Sequence, residues 1–252
     1  MAGNSRRLPA VMSRSSLKYM AAATMLVDHI TLAFLERVPD STTGYMLAVS
    51  SDFWYMLDRI GRGIGRQAFV IFAFFLAEGF VHTKSRRQYL LRLALTALAA
   101  EIPFHLMIFT GPIGSMRTES ANTMVTLCLG FLAMWALELG RRRGTAWSLA
   151  LSGCSVVVCC LAAQELPSDY GAWGVAAVVI FYLLRGVPYA GPAAVYAVMC
   201  ICSVTEIFAL PGCVLLCMYN GEKGRSSGKF FYLFYPLHLL AIWIVRMLVV
   251  GY

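Results

Sequence analysis

A few ionisable side chains stand inside stretches of sequence that are otherwise apolar. The clearest case is the run ATMLVDHITLAF at 23–34, which carries Asp28 and His29 side by side. A charged side chain near the centre of a bilayer costs at least about 2.5–3.5 kcal/mol, so each such residue needs a reason. The others of this kind are Glu78, Glu101 and His238. Because an imidazole takes up and releases a proton near neutral pH, His29 is the leading candidate for a general base.

The adjacent pair does not work as a simple dyad. Neighbouring residues on a helix point about 100° apart, so Asp28 cannot be the group that orients His29. We expect Asp28 to pair across a helical bundle with Arg62 or Arg66. His238 is the rival base, and the two histidines can meet only if their helices are neighbours.

Two acid–histidine pairs have a spacing of four residues, Glu78 with His82 and Glu101 with His105. This spacing puts both members of a pair on one helix face, where they could hold a metal ion. Pro103 interrupts the second pair, His82 falls at a loop edge, and no further ligand clusters with either pair. We therefore expect no metal site, and a protonated structural carboxyl is an equally good interpretation of Glu78.

Other polar residues stand at the ends of the apolar stretches. At the mouths expected to face outward, the candidate substrate-binding residues are Arg66, Asn122, Asp169 and Tyr170. In the connections expected to face inward, the candidates are Lys84, Arg86, Arg87, Arg141, Arg142 and Arg143.

The elements that must position these residues are long apolar segments. Of the 252 residues, 59% are hydrophobic and only 13% are charged, about half the charged share of a soluble domain. Because lipid cannot hydrogen-bond a backbone, helices are the economical interpretation of such segments. We predict an all-α, polytopic transmembrane bundle of about nine spans, with a tail at 1–16 and a single domain at 17–252. The nine apolar windows are 17–35, 67–81, 90–109, 123–137, 146–163, 171–184, 189–204, 207–218 and 230–250.

Charge alternation along the chain sets the predicted orientation. Every second connection is rich in Lys and Arg, and the intervening connections carry acidic residues. Positive residues stay in the cytoplasm, so the N-terminus is expected inside and the protein in the cytoplasmic (inner) membrane. The net charge of +8 is then mostly the sum of loop bases, and no folded basic domain is left to bind nucleic acid. The amphipathic segment 52–66 is expected at the outer interface, before the second span.

Several motifs occur in the order found in one family. They are LKYMAAATMLVDHI, IGRQAFVIFAFFLAEGF, NTMVTLCLG, SDYGAWGVAAVVIFYLLR and FFYLFYPLHLLAIW, which lie between residues 17 and 243. As a set they resemble the TraX family, whose members include a conjugation protein that acetylates the N-terminal amine of pilin. That family in turn resembles transmembrane acyltransferases that use a membrane-embedded histidine near the end of the first span.

The resemblance implies a role for individual residues. The positions that match the D-H, E-G-F, E-I-P-F, D-Y-G and P-L-H motifs are His29, Glu78, Glu101, Asp169 and His238. Two positions depart from the usual pattern. Val70 stands where the family usually has proline, and His105 replaces the aspartate of E-I-P-F-D, which removes that carboxylate.

The activity that the resemblance implies is transfer of an acetyl group from cytoplasmic acetyl-CoA to an amine or hydroxyl acceptor, such as a pilin-like N-terminus. This chemistry needs a base for the acceptor's proton and a donor for the developing oxyanion. The candidate catalytic residues are His29, Asp28, His238, Glu101 and Glu78. The inward-facing bases would bind the phosphates of acetyl-CoA, although membrane topology explains each of them equally well. The outward-facing residues would frame the acceptor.

Two other classes of protein stay open on the sequence. A proton-coupled transporter would also line a path with His, Asp and Glu, but it should show hydropathy symmetry between its halves, and the sequence has none that we can detect. A non-enzymatic assembly protein would not need His29 and His238. Membrane lipids are expected partners in every case, and the sequence leaves open both the acceptor and whether the chain forms a homo-oligomer.

Overall fold

The computed structural model describes residues 9–36, 52–108, 121–166, 168–225 and 228–250. Within these ranges the regular structure is helical, apart from isolated bridges that join Met12 to Tyr219 and Ala121 to Ser168. The predicted all-α membrane fold is confirmed. The helices of the described ranges are α1 (Arg14–Thr31), α2 (Asp52–His82), α3 (Arg86–Ile108), α4 (Thr123–Arg143), α5 (Ala146–Glu165), α6 (Gly171–Leu183), α7 (Ala190–Cys202), α8 (Leu210–Cys217) and α9 (Gly228–Val250). A π-helical turn, Leu32–Glu36, continues α1, and a 3₁₀ helix, Val204–Ala209, joins α7 to α8.

Each predicted apolar window coincides with a helical segment of the described chain. Five helices are long and apolar enough to cross a membrane, namely α2, α3, α4, α5 and α9. Three shorter apolar segments, Gly171–Leu183, Ala190–Cys202 and Val204–Cys217, occupy the sixth, seventh and eighth windows. A helix of 13 residues, such as α6, rises only about 20 Å, less than the roughly 30 Å of a hydrocarbon core.

Successive helices run between the same two ends of the bundle. At one end, here called the basic end, the side chain of Arg14 pairs with Glu78 at 3.2 Å. The backbone N–H of Arg14 donates to the carbonyl of Glu222 at the same end. At the opposite end, here called the far end, Asp28 pairs with Arg62 at 2.7 Å. The chain passes from one end to the other with each helix, which agrees with the alternation of basic and acidic connections.

The amphipathic segment 52–66 is not a separate interfacial element. It forms the N-terminal half of α2, a single helix of 31 residues that rises roughly 46 Å. This half of the helix contains three glycines, Gly61, Gly63 and Gly65, although glycine is a poor helix former. In the bundle these glycines are buried, and their missing side chains let other segments pack against α2.

Helices α1 and α2 form the most extensive pair, and α9 packs against α3 and touches α1. The first and last helices are therefore neighbours. Helix α5 is peripheral: it packs on α4 and α6, and large side chains such as Trp147 and Val158 are exposed. Such a surface suits contact with lipid.

Candidate active site

Two histidines meet where α1 passes α9. His29 Nδ1 lies 2.7 Å from His238 Nε2, and both side chains are buried among the packed helices. The Tyr235 ring lies edge-on to His29, with ring centroids 6.4 Å apart. Both candidate bases of the sequence thus belong to one hydrogen-bonded pair, which the sequence allowed only if their helices were neighbours.

The hydrogen bonds of His238 determine which nitrogen of each neutral ring carries hydrogen. His238 Nδ1 lies 2.8 Å from the backbone oxygen of Phe234, and a carbonyl oxygen can only accept. Nδ1 of His238 is therefore the donor, and its Nε2 is left to accept a hydrogen bond from His29 Nδ1. In this arrangement Nε2 of His29 has the lone pair that can take a proton.

Asp28 points away from the histidine pair and into a set of arginines on α2. Its Oδ2 lies 2.7 Å from an Nη of Arg62, and its Oδ1 lies 4.0 Å from an Nη of Arg66. The expected pairing of Asp28 with these arginines is confirmed. Gly65 makes it feasible, because a Cβ at that position would overlap the Asp28 side chain. Gly61 is four residues earlier and lies against Thr31 in the same way, as in small-residue helix contacts of membrane proteins.

A cavity of about 460 Å³ extends through the bundle beside His29. Near the basic end its lining includes Lys18 and Arg92, and near the far end it includes Asp169 and Tyr170. His29 lies on its wall between these ends. The intervening lining is mainly aromatic and apolar, including Phe69, Phe72, Phe75, Phe231 and Tyr235. The cavity can therefore hold an elongated molecule that is polar at its ends.

Tyr170 closes the far end of this cavity. Its ring stacks on Phe69 with centroids 3.9 Å apart, and Arg66 donates to its hydroxyl at 3.5 Å. The backbone φ of Tyr170 is 66°, a left-handed conformation that is uncommon for a residue with a side chain and that is often found at functional sites. Burial raises the pKa of the Tyr170 phenol well above its usual value, so the hydroxyl keeps its proton and can donate.

A second polar network fixes the start of α4 at the far end. Asn122 is fully buried and caps α4, with its side-chain oxygen accepting from Met124 N. Its amide donates to Ala97 O at 2.9 Å and also to the carboxylate of Glu101. The other oxygen of Glu101 lies 2.9 Å from His105 Nε2. Asn122 and Glu101 thus support the far end rather than line the cavity.

Asp169 is held in the same region. Thr123 donates a hydrogen bond of 2.8 Å to its carboxylate, and both residues line the cavity. Arg66 also contacts Glu206, a nearly fully buried residue of the 3₁₀ helix, at 3.2 Å. The outward-facing candidates Arg66, Asn122, Asp169 and Tyr170 therefore gather at one end of the bundle, as the sequence suggested.

The remaining candidates lie away from His29, at the basic end. Glu78 pairs with Arg14 and lies 3.5 Å from His82. Arg86 and Arg142 both pair with Glu138, at 3.5 and 2.9 Å. Exposed side chains at this end, which do not line the cavity, are Lys84, Arg87, Arg141 and Arg143. Among the described residues, no group of three or more His, Cys, Asp or Glu side chains is arranged to hold a metal ion.

Sequence reasoning missed three residues of this region: Lys18, Arg92 and Glu206. Lys18 stands 11 residues before His29, a separation that returns to the same face of a helix. That periodicity could have identified it. Arg92 and Glu206 have no comparable signal, because only the packing of α3 and the 3₁₀ helix brings them to the site.

This fold and site define a multi-pass membrane protein with a buried histidine pair beside a cavity that has polar ends. The chain belongs to the TraX family: the family described as TraX protein matches residues 13–246. A curated relative, the probable fimbrial assembly protein FimC (serogroup H1) of Dichelobacter nodosus, is 27% identical over an alignment of 264 positions. The alignment covers 93% of this chain and 96% of the relative. No solved structure matches the chain.

Proposed function

We propose that the protein is an integral membrane acetyltransferase that moves an acetyl group from cytoplasmic acetyl-CoA to an amine or hydroxyl acceptor. The observation that carries the proposal is the position of His29: its ring lies on the wall of the cavity, with its tautomer fixed by His238. A base with a fixed tautomer beside a cavity suits proton transfer during acyl transfer.

The reaction would use His29 twice. As the acceptor nitrogen or oxygen attacks the thioester carbonyl, its proton passes to Nε2 of His29. When the carbon–sulfur bond breaks, His29 Nε2 donates that proton to the leaving thiolate of coenzyme A. His238 Nε2 accepts from His29 Nδ1 throughout, so it holds the ring in place and stabilises the transient imidazolium.

Tyr170 is our candidate for the donor to the developing oxyanion. It lines the cavity, keeps its hydroxyl proton, and is held by the Phe69 ring and by Arg66. A donor fixed in a site that excludes water stabilises developing charge without having to reorganise. The proposal assigns Asp28 a positioning role, since its arginine contacts lock α1 against α2. Glu101 and Glu78 would support the two ends of the bundle.

The two ends of the cavity suit the two substrates. Lys18 and Arg92 line it near the basic end, which we place in the cytoplasm, and their charges suit the phosphates of acetyl-CoA. The exposed loop bases at 84–87 and 141–143 would contribute a more diffuse attraction. Asp169, with Asn122 and Arg66 behind it, would meet an acceptor at the far end.

A role in building a surface fibre, as the name of the Dichelobacter nodosus relative suggests for that protein, is compatible with a transferase that modifies a fibre component. A peptide with a pilin-like N-terminus is therefore the first acceptor to test. A purely structural assembly role would leave the histidine pair and the cavity unused.

The direct test uses purified protein in lipid vesicles with isotope-labelled acetyl-CoA and this peptide. Native membrane extract serves as a second source of acceptors, and mass spectrometry detects labelled acetyl groups. We expect labelled product with the wild type, none with His29→Gln, and wild-type amounts with His82→Gln. His82 is a suitable control because it is a mostly exposed histidine at the basic end.

The outcome also separates the other two classes of protein. A proton-coupled transporter would give no acetylated product, and a pH gradient across the vesicle would drive uptake of its substrate. A non-enzymatic assembly protein would give neither signal. The absence of labelled product from both acceptor sources would overturn the proposal.

A further inference from the structure

A second cavity, of about 300 Å³, lies at the far end and is separate from the cavity beside His29. We call it the outer pocket; its lining includes Glu36, Asp58, Arg59, Arg62, Arg66 and Thr205. The two cavities have no lining residue in common.

The two cavities are separated by a layer of ion pairs. Asp28 belongs to the wall of the inner cavity, whereas Arg62 and Arg66 belong to the wall of the outer pocket. The pairs that join Asp28 to these arginines, at 2.7 and 4.0 Å, therefore lie between the two spaces. On the other side of Arg66, Glu206 holds the same guanidinium at 3.2 Å.

The lining of the outer pocket suits a ligand that carries both signs of charge. Arg62 Nε lies 3.2 Å from the carboxylate of Glu36, so a ligand would exchange partners with this pair. Arg59, Arg62 and Arg66 would then receive its anionic group, while Glu36 and Asp58 would receive its cationic one. Asp58 is only 7% exposed, and its Oδ1 is buried with no hydrogen-bond partner among the residues that the structure describes. A buried carboxylate oxygen that lacks a donor is costly, and a bound cationic group would satisfy it.

We propose that the outer pocket is an entry site, through which a small polar group with both charges approaches His29 from the far side, and that the Asp28–Arg62–Arg66 layer is the partition that opens to admit it. This inference rests on the proposed function, because it gives the acceptor a route to the base. Ion pairs suit such a partition: they exclude apolar groups, and a charged ligand can exchange partners with them without leaving any charge unpaired.

The test measures how fast a small, membrane-impermeant thiol reagent reaches each space from each side of a membrane vesicle. Thr205→Cys reports on the outer pocket and Ala68→Cys on the inner cavity, which Ala68 lines. Peptide mapping by mass spectrometry separates both positions from the native cysteines. The side from which Thr205→Cys is labelled identifies the far side directly.

With the layer intact, we expect Ala68→Cys to react slowly from the far side and Thr205→Cys to react quickly. Asp28→Asn, and separately Arg62→Gln, should raise the far-side rate at Ala68→Cys by about tenfold and leave the Thr205→Cys rate unchanged. Glu165→Gln is the matched control, because Glu165 is an exposed charge at the far end that lines neither cavity, and its replacement should change neither rate. Equal far-side rates at the two cysteines with the layer intact would overturn the partition. It would also be overturned if neither Asp28→Asn nor Arg62→Gln raised the far-side rate at Ala68→Cys.

Ligand class is tested by protection of Thr205→Cys in vesicles made of anionic lipid. Glycine, which carries both charges, should slow the labelling more than acetate or ethylamine at equal concentration. Protection by added phosphatidylethanolamine but not by glycine would mean a lipid site and would overturn the entry role. These measurements need no acetyl transfer, so an inactive protein with an intact partition would refute the proposed function alone.

Discussion

Replacing the two buried histidines one at a time tests the assignment of the base. In the mechanism that we propose, His29 takes the acceptor's proton on Nε2, while His238 accepts the hydrogen bond from His29 Nδ1 at 2.7 Å. His29→Gln removes the only group of the pair that touches the cavity. The loss of a general base costs about 10²–10⁴-fold in rate, or roughly 2.7–5.4 kcal/mol of barrier.

The two His238 variants should differ from each other. In His238→Leu the Nδ1–H of His29 loses the acceptor that would stabilise the transient imidazolium. A hydrogen bond to a charged group contributes about 1.5–3 kcal/mol, equivalent to about 12- to 150-fold in rate. His238→Gln presents a side-chain oxygen that can accept in place of Nε2, so its loss should be smaller. A role in packing alone would predict no such rescue by glutamine.

The assay follows transfer of labelled acetyl groups in vesicles under single-turnover conditions, and acetyl-CoA binding is measured separately by equilibrium dialysis. Binding should stay near wild type in all three variants, because Lys18 and Arg92 are unchanged. If His29→Gln kept wild-type turnover while His238→Gln lost it, the base would belong to α9 and the assignment above would be refuted.

Three further predictions concern charges. Asp28→Asn should destabilise the fold by about 1–3 kcal/mol, because Arg62 and Arg66 lose one carboxylate partner and keep only Glu36 and Glu206; an unchanged midpoint of thermal unfolding in detergent would contradict this role. Lys18→Gln should weaken acetyl-CoA binding most at low salt, and its effect should exceed that of replacing the whole exposed run at 141–143, as binding titrations at two ionic strengths would show; the reverse order would move the phosphate site to the C-terminal end of α4. A cysteine that replaces Arg225 should be labelled only from the cytoplasm, and one that replaces Glu165 only from outside; the opposite pattern would reverse the predicted orientation of the bundle in the membrane.

Much of the fold could be predicted from the sequence because lipid leaves few alternatives. An apolar window must form a helix, and basic connections mark one end of the bundle, so the windows and their alternation were predicted correctly. The segment 52–66 was predicted to precede the second span, whereas it is the N-terminal half of the same helix. Only the packing of other segments against α2 shows that the glycines in this half are contact positions inside one long helix.

The site was predictable residue by residue but not as an arrangement. His29, His238 and Asp28 stand out because the membrane rejects polar groups that have no role or partner. Their mutual geometry depends on α9 returning to α1 after more than 200 residues, and no local pattern encodes that contact. For the same reason the sequence favoured the conspicuous arginine run at 141–143 over Lys18 and Arg92, whose side chains reach the cavity only in the folded bundle.

Gly65 gives the sharpest test of how the helix contact supports the site. A Cβ at this position would overlap the Asp28 side chain, so in Gly65→Ala helix α1 must shift away from α2, at an overpacking cost of about 1–3 kcal/mol. His29 follows Asp28 on α1, so a shift of α1 would lengthen the 2.7 Å contact between His29 and His238. We expect acetyl transfer to fall as far as in His238→Leu, with acetyl-CoA binding retained. The matched control is Gly153→Ala on α5, where nothing lies within 4 Å of the added methyl group, so the better helix propensity of alanine should leave stability unchanged or raised. If Gly65→Ala kept full activity and a wild-type unfolding midpoint, the close approach of α1 to α2 would not be what positions His29.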